Sequence, residues 1–208
     1  MRTFPSSCLA SKLDTAQPKL QKVAGACMEI KFIKKSEFQP AGHHSLLWQY
    51  WRTLYREARN DIPLRTSLRP DQIASLIPYL TILDMIDEDT VSILLIGSAH
   101  DQMWSRNIIA DNFLDHLSGE ARQKYKDLFI SLKNYRLGCV TEEVVTTASG
   151  TTLRCSGLLL PLRANTGETT ASVGYFTYEG IEEDFQDLMR NGPSDRCIEN
   201  VTFISMDD

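Results

Sequence analysis

Ile77-Pro78-Tyr79-Leu80-Thr81-Ile82-Leu83-Asp84, followed by Val91-Ser92-Ile93-Leu94-Leu95-Ile96-Gly97-Ser98-Ala99, is the stretch that decides the fold. Both halves are rich in β-branched and aliphatic residues. They are joined by Asp87-Glu88-Asp89, an acidic turn, so the reading is a hairpin with strands over 79–87 and 90–97. In the second strand Val91, Ile93 and Leu95 alternate with Ser92, Leu94 and Ile96. Both faces therefore carry apolar groups, as in a strand covered on both sides.

Outward from this hairpin, residues 98–105 suggest a short helix. Ser118 starts a longer one to about 136, with Ala121, Tyr125, Leu128, Phe129, Leu132 and Tyr135 on one side and Gly138 as its stop. Three more strands are expected over 140–147, 151–162 and 170–178. Ser149-Gly150 forms a two-residue turn between the first pair, and Ala164-Asn165-Thr166-Gly167 connects the second. Upstream, Leu47, Trp48, Trp51, Leu54, Tyr55 and Ala58 recur at helical spacing, which makes 45–59 an amphipathic helix. Pro70 suits the first turn of a second short helix that Pro78 ends. The order is that of an α+β domain: a five-stranded antiparallel sheet, helices inserted between strands 2 and 3, and an N-terminal amphipathic helix.

Composition sets the outer bounds. The chain has 208 residues, of which 42% are hydrophobic and 24% charged, enough for one ordinary core. Residues 1–40 mix Ser, Ala, Lys, Gln and Pro without periodicity and read as a disordered or loosely attached leader. The domain proper is expected over 45–178, and 179–208 reads as an acidic tail with a possible short helix through Ile181, Phe185, Leu188 and Met189. The apolar pattern begins only after Met28, which makes Met28 a candidate translation start. No window reaches the roughly 18 apolar residues of a membrane span, and no apolar signal core follows Met1, so a cytoplasmic protein with no membrane partner is expected. A net charge of -5 argues against nucleic-acid binding.

The motifs Trp51-Arg52-Thr53-Leu54, Leu68-Arg69-Pro70-Asp71-Gln72-Ile73, Ile77 to Asp84 as quoted above, Gly97-Ser98-Ala99 and Asn112-Phe113-Leu114-Asp115, taken in order and spacing, resemble a bacterial PAS-like family common in alphaproteobacteria. The resemblance covers about 45–178. It departs from the family at Gly97-Ser98, where Gly-Thr is usual, and at Ile108-Ile109-Ala110, where Leu-Thr-Gly is usual. The missing glycine removes an easy left-handed turn, so the loop 107–112 is expected to take a different shape. The resemblance implies signalling through small-molecule binding or dimerisation, and it supplies no catalytic residues.

In PAS domains ligands sit between the inner sheet face and the central helices. The corresponding candidates here are His100, Met103, Trp104, Phe113, Tyr125 and Phe129, facing Ile93, Leu95, Val144, Leu158, Leu160 and Tyr175. Aromatic and aliphatic walls of this kind suit a small apolar ligand; the same residues also suit a filled core. Haem on His100 is an alternative cofactor reading that rests on one imidazole. No cofactor is otherwise expected, and no Asn-Cys-Arg-Phe-like run of a flavin-adduct site occurs. His43-His44 lacks further ligands for a metal. With Ala148 opposite Thr151, Cys139 falls opposite Leu160 and Cys155 opposite Val144. That five-residue offset is about 16 Å, beyond the ~7 Å limit for a disulfide.

Nucleophile-elbow, phosphate-loop and His-Glu-x-x-His patterns are absent from the sequence. The expectation is a non-enzymatic, stand-alone sensory or regulatory module acting through protein association, as a homodimer or with another signalling protein. Leu47, Trp48, Trp51, Leu54 and Tyr55 are its expected partner surface. A ligand-free adaptor with a filled core is the alternative.

Overall fold

A computed structural model describes residues 29–104, 107–164, 168 and 170–206. In chain order the elements are β1 (Glu29–Lys34), α1 (Gly42–Glu57), β2 (Leu80–Met85), β3 (Val91–Ile96), α2 (Ser98–Asp101), α3 (Gly119–Tyr135), β4 (Leu137–Thr147), β5 (Thr152–Leu162), β6 (Ala171–Glu179), α4 (Glu182–Asn191) and β7 (Pro193–Ser205). Short 3-10 turns fill several of the connections. One sheet runs β1-β7-β4-β5-β6-β2-β3. Every neighbouring pair is antiparallel except β1 with β7. No helix among the described residues is long and apolar enough to cross a membrane.

The five expected strands are present as β2 to β6 and lie side by side. The sheet has seven strands, however, because the expected leader contributes β1 and the expected acidic tail contributes α4 and β7. The tail reads as frayed because Ser194, Asp195, Arg196, Glu199 and Asn200 interrupt its apolar residues. In place, β7 pairs with β4 along nearly its whole length, from Pro193 opposite Thr147 to Ser205 opposite Leu137. Met28, Cys8 and Cys27 lie outside the described residues.

The sheet is covered on both faces. On the outer face α1 lays Leu47, Trp48 and Trp51 over Leu158, Leu160, Leu162, Ala171, Val173 and Tyr175, and the Trp51 indole N–H donates to the Pro161 carbonyl at 2.8 Å. On the inner face α3 presses Tyr125, Leu128, Phe129 and Leu132 against Leu83, Met85, Val91, Ile93, Cys139 and Leu159. A strand buried on both sides reads as a continuous apolar run, without the alternation that would mark its faces.

Three local readings change. The β4–β5 connection is the three-residue loop Ala148-Ser149-Gly150, closed by Thr147 N–H to the Thr151 carbonyl at 2.9 Å. Gly150, at φ 93°, supplies the positive-φ position such a loop needs. Register therefore moves by one residue: Cys139 faces Leu159 and Cys155 faces Glu143, leaving the two thiols four residues, about 13 Å, apart. Gly138 is not the stop of α3, which ends at Arg136 in the left-handed region; Gly138 sits inside β4 with the Met206 side chain against it.

The loop 107–112 keeps its left-handed turn without glycine, since Ala110 takes φ 71°. It is held there by Ala110 N–H to the Ile93 carbonyl at 2.7 Å and Ile93 N–H to the Asp111 carbonyl at 3.0 Å. This covers the outer edge of β3. Gly97 ends β3 where any Cβ would lie 2.2 Å from the Ile77 carbonyl oxygen, so the Gly97-Ser98-Ala99 motif exists to let the chain pass that backbone.

Candidate functional site

The inner face is largely apolar and carries one cluster built around a buried carboxylate. Glu143 on β4 is 2% exposed, and its carboxylate accepts from the Tyr125 hydroxyl of α3, from Thr141 Oγ1 at 2.6 Å and from Arg196 Nη1 of β7 at 3.4 Å. Arg196 Nη2 donates to the Tyr178 hydroxyl of β6 at 3.0 Å. The Arg196 side chain is 10% exposed. Three strands and one helix thus converge on a buried ion pair capped by two phenols.

A β-bulge aims Arg196. Along β7, Asn200 pairs with Glu142 and Ile198 with Glu143, so Glu199 is an extra residue. Because side chains alternate, one extra residue moves everything beyond it to the other face. Val201 and Phe203 face α3 on one side of the bulge; Ile198 and Arg196 face it on the other. Without the bulge Arg196 would point to the outer face and Glu143 would be buried alone. A buried carboxylate without its partner is strongly unfavourable.

The surroundings fix the protonation states. Burial raises the Tyr125 pKa well above its ordinary value and the nearby Glu143 raises it further. Burial likewise raises that of Tyr178, so both phenols remain neutral. Burial disfavours the Arg196 charge, but Tyr178, Tyr125 and Glu143 outweigh it and keep the guanidinium protonated. Cys155 belongs to the same neighbourhood, and burial followed by Glu143 raises its pKa, which makes it a poor thiolate nucleophile. His100 is pushed down to about 4, first by burial and further by Arg196, against its hydrogen bond to the Tyr79 carbonyl. Its Nε2–H reaches that carbonyl at 3.0 Å, and its ring stands edge-on to Tyr79 and Phe176.

The sequence-predicted pocket residues do not form one group. Ile93, Phe113, Tyr125 and Phe129 meet on the inner face, with ring centroids 5.2 Å apart for Phe113 and Tyr125 and 5.8 Å for Phe113 and Phe129. His100 and Met103 are buried nearby. Leu95, Leu158, Leu160 and Tyr175 lie on the opposite face, under α1. A bulge between Ile82 and Leu83 places Ile93 and Leu95 on different faces. Val144 neighbours Glu143 and so points to the outer face, away from α2 and α3. The side chain of Trp104 lies outside the described residues.

The expected partner helix is also corrected. Leu47, Trp48, Trp51 and Leu54 are buried within the chain, and Tyr55 packs against the same cluster beneath the Lys35 ammonium. Their stripe is consumed by the sheet. Glu143, Thr141, Tyr178 and Arg196 were not foreseen. One signal was available: in a strand covered on both faces, one of the adjacent pair Glu142-Glu143 must face a core.

A family model described as PAS domain matches residues 41–177. The chain belongs to the PAS domain family. No curated protein matches it. Similar solved structures include the light-state LOV domain of the blue-light photoreceptor Aureochrome1, at 15% identity over 60% of this chain and 97% of that one with a TM-score of 0.38. Another is the PAS domain of a protein from Colwellia psychrerythraea, at 11% identity over 54% and 97% with a TM-score of 0.38. The PAS match contains Tyr125, Thr141 and Glu143. Tyr178 and Arg196 lie beyond its end, so the cation that answers the PAS carboxylate comes from the C-terminal extension.

Proposed function

We propose that this PAS-domain chain is a sensory or regulatory module of the bacterial cytoplasm that acts by associating with another protein, a second copy or a signalling partner, and has no catalytic activity. The observation that carries this reading is the occupied inner face. Where a PAS ligand would lie, Phe113, Tyr125 and Phe129 pack on one another and Arg196 completes the Glu143 cluster. A nearby gap between Phe129, Leu132, Pro161 and Ala171 measures about 20 Å³, room for about one water molecule. A filled core favours transmission by contact over retention of an apolar cofactor, and haem on His100 is disfavoured because that imidazole already serves the Tyr79 carbonyl among packed rings.

Native mass spectrometry of freshly purified protein tests the reading. The expected spectrum shows an assembly larger than one chain with no added small-molecule mass. A monomer at micromolar concentration that captures no partner argues against association, and a stoichiometric retained mass overturns the filled core.

A further inference from the structure

The PAS match stops at residue 177, yet the group that neutralises its buried carboxylate arrives nineteen residues later on an extra strand. We propose that Glu143, Tyr178 and Tyr125 form a guanidinium-binding site on the PAS sheet, with Arg196 as a tethered and displaceable occupant, and that the site accepts a guanidinium-bearing small molecule in its place.

The chemistry is specific. Glu143 presents a carboxylate whose Oε1 is held by Thr141 and whose other oxygen faces the cation. Tyr178 presents a phenolic oxygen as a second acceptor. Planar donors in a fork suit this pair of acceptors, whereas an ammonium is a compact point charge on a strongly held hydration shell. The Tyr178 ring, whose hydroxyl takes the guanidinium bond, packs edge-to-face against the His100 ring with centroids 5.8 Å apart.

Arg196 is an imperfect occupant. One of its bonds is long at 3.4 Å, and its buried Nε has no hydrogen-bond partner, although a buried donor left unpaired is costly. Among the described residues β1 pairs with Asn200 through Ser205, so the strand partner of Pro193 to Glu199 is β4, and that pairing carries a register shift at each end. A free guanidinium has no strand to strain and can satisfy its donors independently. The regulatory reading and this site share the buried cluster but are read separately, one by assembly mass and the other by ligand recognition.

The test is a thermal titration of Arg196→Ala with methylguanidinium at millimolar concentration, far below the denaturing range. Methylammonium at equal ionic strength and the Glu143→Gln/Arg196→Ala double variant are the controls. The expected result is a saturable rise of a few degrees in Tm for Arg196→Ala with methylguanidinium, absent with methylammonium and absent in the double variant. An equal response to both cations, a response that survives in the double variant, or no response overturns the site. If Arg196→Ala does not fold unaided, refolding with recovery of far-UV dichroism in methylguanidinium but not methylammonium supports it, and failure in both overturns it.

Discussion

The two faces of this sheet solve the same packing problem in different ways. The outer face is closed by α1 with aromatic and aliphatic side chains, and a buried polar anchor there is the neutral bond from Trp51 to the Pro161 carbonyl. The inner face, under α3, holds a charged pair and two phenols in the midst of its apolar contacts. Hydrophobic contact stabilises in proportion to area and tolerates approximate fit. A buried ion pair contributes little net stability yet penalises every arrangement that separates it. Apolar contact on both faces therefore holds the domain together, and the ion pair within the inner face favours the arrangement of β4, β6, β7 and α3 that keeps it joined.

The contrast breaks first on the outer side. Trp51→Ala removes a fully buried indole and is expected to cost about 3–5 kcal/mol, and Trp51→Glu should prevent folding outright instead of yielding a folded monomer. Chemical denaturation of the first and far-UV dichroism of the second check this. A folded, soluble Trp51→Glu protein with an altered assembly state would return that helix to the surface.

On the inner side the largest pH effect belongs to His100. Its folded pKa of about 4 lies below the ordinary 6.5, so the unfolded chain takes up the proton first as pH falls. Stability is then intact above about pH 6.5 and is lost progressively from 6.5 down to 4, by a total of about 3 kcal/mol. His100→Gln should flatten that part of the stability profile, measured by urea midpoints across the range; an unchanged slope would remove His100 as its source.

The smallest effect concerns the loop over the β3 edge. Ala110 at φ 71° bears a left-handed conformation that costs a non-glycine residue about 1 kcal/mol. Ala110→Gly should accordingly stabilise by up to about 1 kcal/mol, less whatever the more flexible unfolded chain withdraws. A loss of stability in equilibrium unfolding would show that the loop tolerates alanine without strain.

These contrasts also explain how much was legible beforehand. The hairpin of β2 and β3, the amphipathic α1, the long α3 and strands β4 to β6 announce themselves through periodicity and turn residues, and the PAS resemblance follows from their order. Which face each strand presents is hidden, because Val91 to Ile96 and Leu158 to Leu162 are apolar on both sides. Parity is further disturbed at three register shifts, one beside Leu83, one at Glu199 and one at Ser194. The first put Leu95 on the wrong side of the expected pocket. The second concealed Arg196 altogether, since a polar stretch pairing with a strand fifty residues earlier carries no local sign of that pairing. The one-residue difference in the β4–β5 turn had the same character: Ser149-Gly150 marks a turn but does not say whether Ala148 belongs to it.

The central claim is that Glu143 and Arg196 act as one unit inside the PAS core. A double-mutant cycle with Glu143→Leu and Arg196→Met, followed by equilibrium urea unfolding, tests it most directly. Each single change should cost about 3–5 kcal/mol because it strands a buried charge, while the double change should be close to neutral or stabilising. Additive effects, with the double variant as unstable as the two singles combined to within about 0.5 kcal/mol, would contradict the account.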